Sequence, residues 1–181
     1  MSKVRYNIFE VMDMQKEIYL AAGCFWGAEK AFQSLNGVID TTVGFANGNV
    51  DNPSYQLVKT STTGHRETVK IVYDDSVISL NKLLKGYFLI IDPTLANQQG
   101  HDIGSQYQTG IYYNDPESEI ICRNYWEQEK RKYPVFMVEL APLKCFWSAE
   151  EYHQDYLIKN PTGYCHVSLA QYAAVRELNN E

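Results

Sequence analysis

Cysteine is scarce in this chain, and none of it is arranged for a metal or a dithiol motif. The 181 residues include four cysteines. They are Cys24, Cys122, Cys145 and Cys165, and no two form a C-x-x-C pair, which excludes a thioredoxin-type motif. No pair of Cys or His stands at zinc-ligand spacing, which argues against a structural zinc site. No G-x-G-x-x-G follows a strand-like run, so nothing points to a bound nicotinamide or flavin. A dense basic run is also missing. Sixteen basic and 22 acidic residues give a formal charge of −6, so nucleic acid is not an expected partner. The apolar run 87–91 is far too short to cross a bilayer. Residues 1–15 carry Lys3, Arg5, Glu10 and Asp13 and lack the uninterrupted apolar stretch of a signal peptide. These absences lead us to expect a cytoplasmic protein without membrane contact. Its cysteines should rest as thiols, and any disulfide should be catalytic rather than structural.

Apolar patterning and aromatic rings are plentiful. Hydrophobic residues make up 45% of the chain and aromatics 13%, with 14 tyrosines, whose rings pack on one side and hydrogen-bond on the other. The length suggests one domain with room for a core, and nothing demands more than a monomer. Residues 1–16 show no period and read as an extension. Residues 18–22 read as a short buried strand ended by Gly23. Phe25, Ala28, Phe32 and Leu35 recur at helical spacing, and Asn36-Gly37 stops that helix. Strands are predicted over 38–45, 68–73, 110–113 and 135–140. Ser79 can cap a helix carrying the stripe Leu80, Leu83, Leu84, Tyr87, Phe88 and Ile91. Asp115-Pro116 opens another, running to about residue 132. Ser148-Ala149-Glu150-Glu151 reads as a capping box for a helix ending before Pro161. Residues 44–53 are rich in Gly, Pro and Asn and read as loop. Residues 92–107 show no period, and so long a loop in a small domain is usually functional. The order of elements predicts an α+β plait of the ferredoxin-like, split-βαβ kind with long functional loops. The domain boundaries are then an extension over 1–16, a main domain over 17–158 and a tail over 159–181.

Gly23-Cys24-Phe25-Trp26-Gly27 falls where a strand turns into a helix. Free backbone N–H groups at a helix start favour thiolate, so the Cys24 pKa is expected to be lowered. The flanking glycines would let a substrate come close, and Phe25 and Trp26 bring rings beside a reactive sulfur. Cys24 could equally be a small buried hydrophobe, the common fate of a free cysteine.

Extended over Gly23-Cys24-Phe25-Trp26-Gly27-Ala28-Glu29, this run resembles the signature of the methionine sulfoxide reductase A family. Further blocks are similar to the family's, in its order. They are Asn52-Pro53-Ser54-Tyr55, Thr63-Gly64-His65-Arg66-Glu67, Asp92-Pro93-Thr94, Gln99-Gly100-His101-Asp102-Ile103-Gly104-Ser105-Gln106-Tyr107, Tyr152-His153-Gln154-Asp155-Tyr156-Leu157 and Lys159-Asn160-Pro161-Thr162-Gly163-Tyr164-Cys165. The resemblance covers residues 17–165. It departs at His101, where Asn is usual, and at Phe45, where Tyr is common. It also departs in having no cysteine after Cys165, and in Cys122 and Cys145, which lie outside the family's usual positions.

The resemblance implies reduction of methionine S-sulfoxide, free or in peptides and proteins, hence repair of oxidised proteins, with no metal and no bound cofactor. It implies Cys24 as nucleophile, Glu67 as the acid that protonates the sulfoxide oxygen, Tyr55 and Tyr107 as hydroxyl donors to that oxygen, and Asp102 as an orienting group. Phe25 and Trp26 would cradle the S-methyl group. Glu67 could do this near pH 7 only if burial raised its pKa. Attack leaves Cys24 as a sulfenic acid. Cys165, on a flexible tail, would close a disulfide with it, to be reduced by thioredoxin, or by dithiothreitol in vitro. Cys122 falls in a predicted amphipathic helix and reads as core, and Cys145 as core or a backup thiol. Taken singly, each residue has a plainer reading: the tyrosines as core, Glu67 on an exposed strand face, Asp102 as a turn cap, Phe25 as packing. Two rival functions stay open on the sequence. One is a Cys-dependent acyl hydrolase using Cys24, His65 and Asp102, and the other a non-enzymatic module that binds methionine-rich segments.

Overall fold

The alternation and helical stripes in the sequence build a six-stranded sheet with helices packed on one face. A computed structural model describes residues 15–181. In chain order its elements are β1 (Gln15–Ala21), α1 (Phe25–Gln33), β2 (Val38–Ala46), the short α2 (Tyr55–Val58), β3 (Arg66–Asp74), α3 (Leu80–Ile90), β4 (Gln98–Gln99) and β5 (Asp102–Ile103). They continue with β6 (Gly110–Tyr113), α4 (Pro116–Lys130), β7 (Glu139–Pro142), β8 (Phe146–Ser148), α5 (Tyr156–Lys159) and α6 (Leu169–Glu177). The main sheet runs β7-β6-β1-β3-β2-β8, and β4 and β5 form a separate hairpin. Every pair in the main sheet is antiparallel except β6 with β7.

Successive residues of a strand point to opposite faces, and β1 shows it. Ile18 and Leu20 enter the main core with Phe25, Ala28 and Phe32 of α1, Leu83, Leu84 and Tyr87 of α3, and Val69 and Ile71 of β3. Tyr19 and Ala21 face the other way, into a smaller cluster with Ala46 and Tyr112. The caps are as the residues suggest. Ser79 accepts from the Lys82 N–H at 3.2 Å, and Asp115 accepts from the Ser118 N–H at 2.9 Å with Pro116 at the first helical position.

The larger differences from expectation each have a local reason. The first strand takes in Gln15 and Lys16, which pair with Asp74 and Tyr73; the rest of the expected extension, 1–14, lies outside the described residues. The strand expected over 135–140 begins only at Glu139. The carbonyls of Met137 and Val138 accept instead from Gln108 Nε2 and Trp126 Nε1, so these residues are held by side chains, not by a ladder. The periodless stretch 92–107 contains the β4–β5 hairpin and a 3₁₀ turn, Ser105–Tyr107. Ser148 does not cap a helix: it closes β8 opposite Gly44. The helix expected after it is broken into a turn at Glu151–His153 and the short α5. Gln154 is pinned to β2 by its side chain, bonding the N–H and C=O of Val43, and Asp155 adopts a left-handed φ of 54°. Finally, the segment read as a flexible tail carries α6. A capping box of Ser168 and Gln171 starts it, and Val175 and Leu178 are buried beside α3.

Candidate active site

Cys24 stands where β1 has ended and α1 begins, as the residue before the first helical turn. The turn needs Gly23, which has φ 82° and on which a Cβ would lie 2.6 Å from the Gln99 Cβ. Cys24 is 6% exposed. Two influences on its thiol compete there. The Trp26 backbone N–H favours thiolate, as expected of a helix start. Burial disfavours it and wins, with Glu67 adding to the effect when ionised: the Cys24 pKa is raised well above its ordinary value. The expected lowering by the helix end is therefore corrected, and Cys24 rests as a thiol.

Glu67 is carried by β3 opposite Phe45 of β2, and it is 2% exposed, not on an open strand face. Its Oε2 accepts the Phe25 N–H at 3.1 Å. This bond ties the carboxyl to the residue that follows Cys24. Burial pushes the Glu67 pKa up to about 8, with Asp102 adding to the rise and the Phe25 N–H opposing it. At neutral pH Glu67 is thus mostly a carboxylic acid, and in that state it no longer repels a thiolate at Cys24.

Tyr55 opens α2 and Tyr107 ends the 3₁₀ turn, yet both belong to this cluster. Burial, then Glu67 and Cys24, push Tyr55 up to about 12. Burial, then Glu67, Tyr55, Asp102 and Cys24, push Tyr107 higher still. Both phenols stay protonated and available as donors. Asp102, on β5, accepts from the Tyr164 hydroxyl at 3.0 Å. It thereby ties the hairpin to the segment that carries Cys165.

An aromatic wall stands beside the thiol. Phe25 is buried against Phe45, with ring centroids 5.9 Å apart. Trp26 stacks on Tyr156 at 3.8 Å and 13°, and its indole N–H donates to Nδ1 of His153 at 3.2 Å. His153 also packs against Phe25 at 5.4 Å and Tyr55 at 4.3 Å. Burial lowers its pKa, with Glu150 opposing, so it remains the neutral acceptor that fixes the indole. His153, Tyr156 and Tyr164 had no role assigned from the sequence. Their positions inside matched blocks were the signal that could have found them.

His65 does not belong to this group chemically. Its Nδ1 accepts the Gly48 N–H at 3.2 Å, which leaves the proton on Nε2, donated to the Val50 carbonyl at 2.8 Å. With both nitrogens committed to the loop, His65 has none to offer Cys24, and the hydrolase reading loses its base. Cys122 is fully buried in α4, and Cys145 sits with its sulfur 3.7 Å from the Gly48 carbonyl. Cys165 lies against α1. A Cβ on Gly27 would come within 2.7 Å of its sulfur, and Cys165 is among the groups that disfavour a thiolate at Cys24. Among the described residues no cluster of three or more His, Cys, Asp or Glu could hold a metal ion, and no helix is long and apolar enough to cross a membrane.

The family model described as peptide methionine sulfoxide reductase matches residues 16–180. A peptide methionine sulfoxide reductase MsrA of Alkaliphilus metalliredigens is 54% identical over 155 residues, covering 85% of this chain and 98% of that protein. Among solved structures, the reduced form of Mxr1 from Saccharomyces cerevisiae has a TM-score of 0.81 at 35% identity, covering 91% of this chain and 95% of that one. Methionine sulfoxide reductase A of Corynebacterium diphtheriae has 0.79 at 36% identity, covering 84% and 78%. Mxr1 is also solved in complex with Trx2, a form that matches with a TM-score of 0.57 at 22% identity, covering 84% of this chain and 89% of that one. A buried thiol beside a protonated carboxyl, the aromatic wall and these likenesses agree, and the chain belongs to the peptide methionine sulfoxide reductase family, among its A-type members.

Proposed function

We propose that this chain reduces methionine S-sulfoxide, free or within peptides and proteins, through a two-cysteine cycle. The observation that carries the reading is the Phe25 N–H bond to Glu67, which holds a mostly protonated carboxyl against the turn that bears Cys24. A sulfoxide oxygen is a poor leaving group until protonated. In this cycle the Cys24 sulfur attacks the sulfoxide sulfur while Glu67 gives a proton to the oxygen. Tyr55 and Tyr107 stabilise the charge that gathers on that oxygen, as preorganised neutral donors do. A sulfur–sulfur bond forms and the sulfur–oxygen bond breaks, the oxygen leaving as water with the protons of Glu67 and the Cys24 thiol. Water then attacks the Cys24 sulfur, the sulfur–sulfur bond breaks and the thioether leaves with that electron pair. Cys24 is left as a sulfenic acid, and the proton lost by the attacking water restores Glu67. Phe25 and Trp26, the latter held by His153 and Tyr156, form the slot for the S-methyl group. Asp102 orients the site through Tyr164.

Cys165 then closes a disulfide with Cys24, and thioredoxin reopens it by thiol exchange. The complex of the yeast relative with Trx2 supports that partner. No bound cofactor enters the cycle. The reaction domain opens with β1 at Gln15, and the segment 159–181 that carries the recycling cysteine packs on it through α6; the working form is a cytoplasmic monomer. The strand order β6-β1-β3-β2, with β3 lying between β1 and β2, supports reading the fold as a split-βαβ plait extended by β7 and β8. The test is turnover of the two separated sulfoxide epimers with dithiothreitol. Wild-type protein should consume only the S epimer, and Cys24→Ser neither. Equal use of both epimers, or activity in Cys24→Ser, would overturn the reading.

A further inference from the structure

Cys165 must itself become a nucleophile before a disulfide can close, and a side chain of α6 touches it. The Tyr172 hydroxyl lies 2.9 Å from the Cys165 sulfur and donates to the Gly27 carbonyl of α1 at 3.2 Å. The Val167 N–H donates to the same sulfur at 3.2 Å. Gly27 makes this approach possible, because a Cβ there would meet the sulfur at 2.7 Å and the hydroxyl at 3.4 Å. We propose that Tyr172 and the Val167 N–H form a two-donor cradle that holds Cys165 against α1 and stabilises its thiolate for attack on oxidised Cys24. The proposal rests on Cys165 being the resolving cysteine.

In the reduced resting protein the Tyr172 proton points to Gly27, and the Cys165 thiol can donate to the Val167 carbonyl at 3.4 Å or to the phenol oxygen. When Cys165 loses its proton, the phenol O–H turns from the carbonyl to the sulfur. The Cys165 thiolate attacks the Cys24 sulfur. A sulfur–sulfur bond forms and the Cys24 sulfur–oxygen bond breaks. The hydroxyl leaves as water with the proton Cys165 gave up, so Cys165 is oxidised as the sulfenic sulfur is reduced. Two donors to an anionic sulfur are worth more than the same bonds to a thiol. Burial and the bond to Cys165 push the Tyr172 pKa up, so its proton is present throughout the working range. Among the described residues Cys24 and Tyr164 lie near this sulfur, His166 follows it in the chain, and Lys30 stands 5.2 Å above the Tyr172 ring.

The test separates oxygen transfer from disulfide closure. Reduced protein is mixed with methionine S-sulfoxide without reductant. Methionine release and dimedone-trappable sulfenic acid are followed from pH 6 to 9 in wild type, Tyr172→Phe and Cys165→Ser. Tyr172→Phe should release its first methionine at the wild-type rate and melt as wild type does. Its sulfenic acid should persist about tenfold longer at neutral pH, with the pH profile of closure moved upward. Wild-type closure and pH profile in Tyr172→Phe would overturn the cradle. Slowing of methionine release by the same factor would also overturn it, as the sign of a merely structural defect. If Cys165→Ser loses its sulfenic acid as fast as wild type, the resolving assignment itself fails, and the cradle with it.

Discussion

Glu29 and Glu67 are both 2% exposed, and both are raised by burial, to about 7 and about 8. Their surroundings nevertheless give them different work. Glu29, on the flank of α1, has both oxygens engaged: Oε1 accepts from the Thr41 hydroxyl at 3.2 Å and Oε2 from the Asp155 N–H at 3.0 Å. It fastens the segment carrying His153 and Tyr156 to the helix. Glu67, near the helix start, takes one hydrogen bond among the described residues, from Phe25. Its other oxygen is uncommitted, and its neighbours are a thiol and two phenols. A raised pKa alone therefore does not separate a structural carboxyl from a reactive one. The number of bonds already satisfied does.

The contrast is broken most sharply at Glu67. Glu67→Gln should slow the first methionine burst by about two to four orders of magnitude while the protein stays folded. Wild-type rate should fall as pH rises through about 8, where Glu67 ionises, and that limb should vanish in Glu67→Gln. A variant within a few-fold of wild type would remove the acid role. Glu29 offers the opposite outcome. Folded Glu29 stays protonated up to about 7, whereas an unperturbed carboxyl ionises near 4.5. Its contribution is fully present below 4.5, so the share of stability owed to it declines by about 2–3 kcal/mol as pH rises between those values. Glu29→Gln should flatten that decline in denaturant titrations run at pH 4.5 and 7.5, with the burst intact. An unchanged slope would show that Glu29 is already ionised in the fold. The smallest effect is expected at His65, whose ring nitrogens are engaged by Gly48 and Val50. His65→Gln should lower stability by about 1–3 kcal/mol and leave the burst unchanged. A lost burst in the folded variant would return His65 to the chemistry.

Much of this was legible in local pattern. Burial makes period 2 and period 3.6 visible, so β3, α1 and α3 could be placed from their stripes, β1 from its apolar run, and the starts of α3 and α4 from caps at Ser79 and Asp115. Other elements are set by partners remote in sequence. β8 exists because 146–148 finds the edge of β2, and the helix expected after Ser148 is interrupted because Gln154 and Asp155 bond to β2 and Glu29. The residues of the α6 capping box, Ser168 and Gln171, are legible in the chain, but its docking beside α3 is set by tertiary packing.

By itself the sequence determined which residues carry reactive groups and the family blocks that contain them, because identity and spacing are written in the chain. It also determined the secondary structure whose apolar period is strong. Only the tertiary structure decided the protonation states. Cys24 is a thiol and Glu67 an acid because strands, helices and loops distant in sequence close over them and exclude water. No local motif encodes how much water is lost, and here that loss outweighs the pull of the helix end.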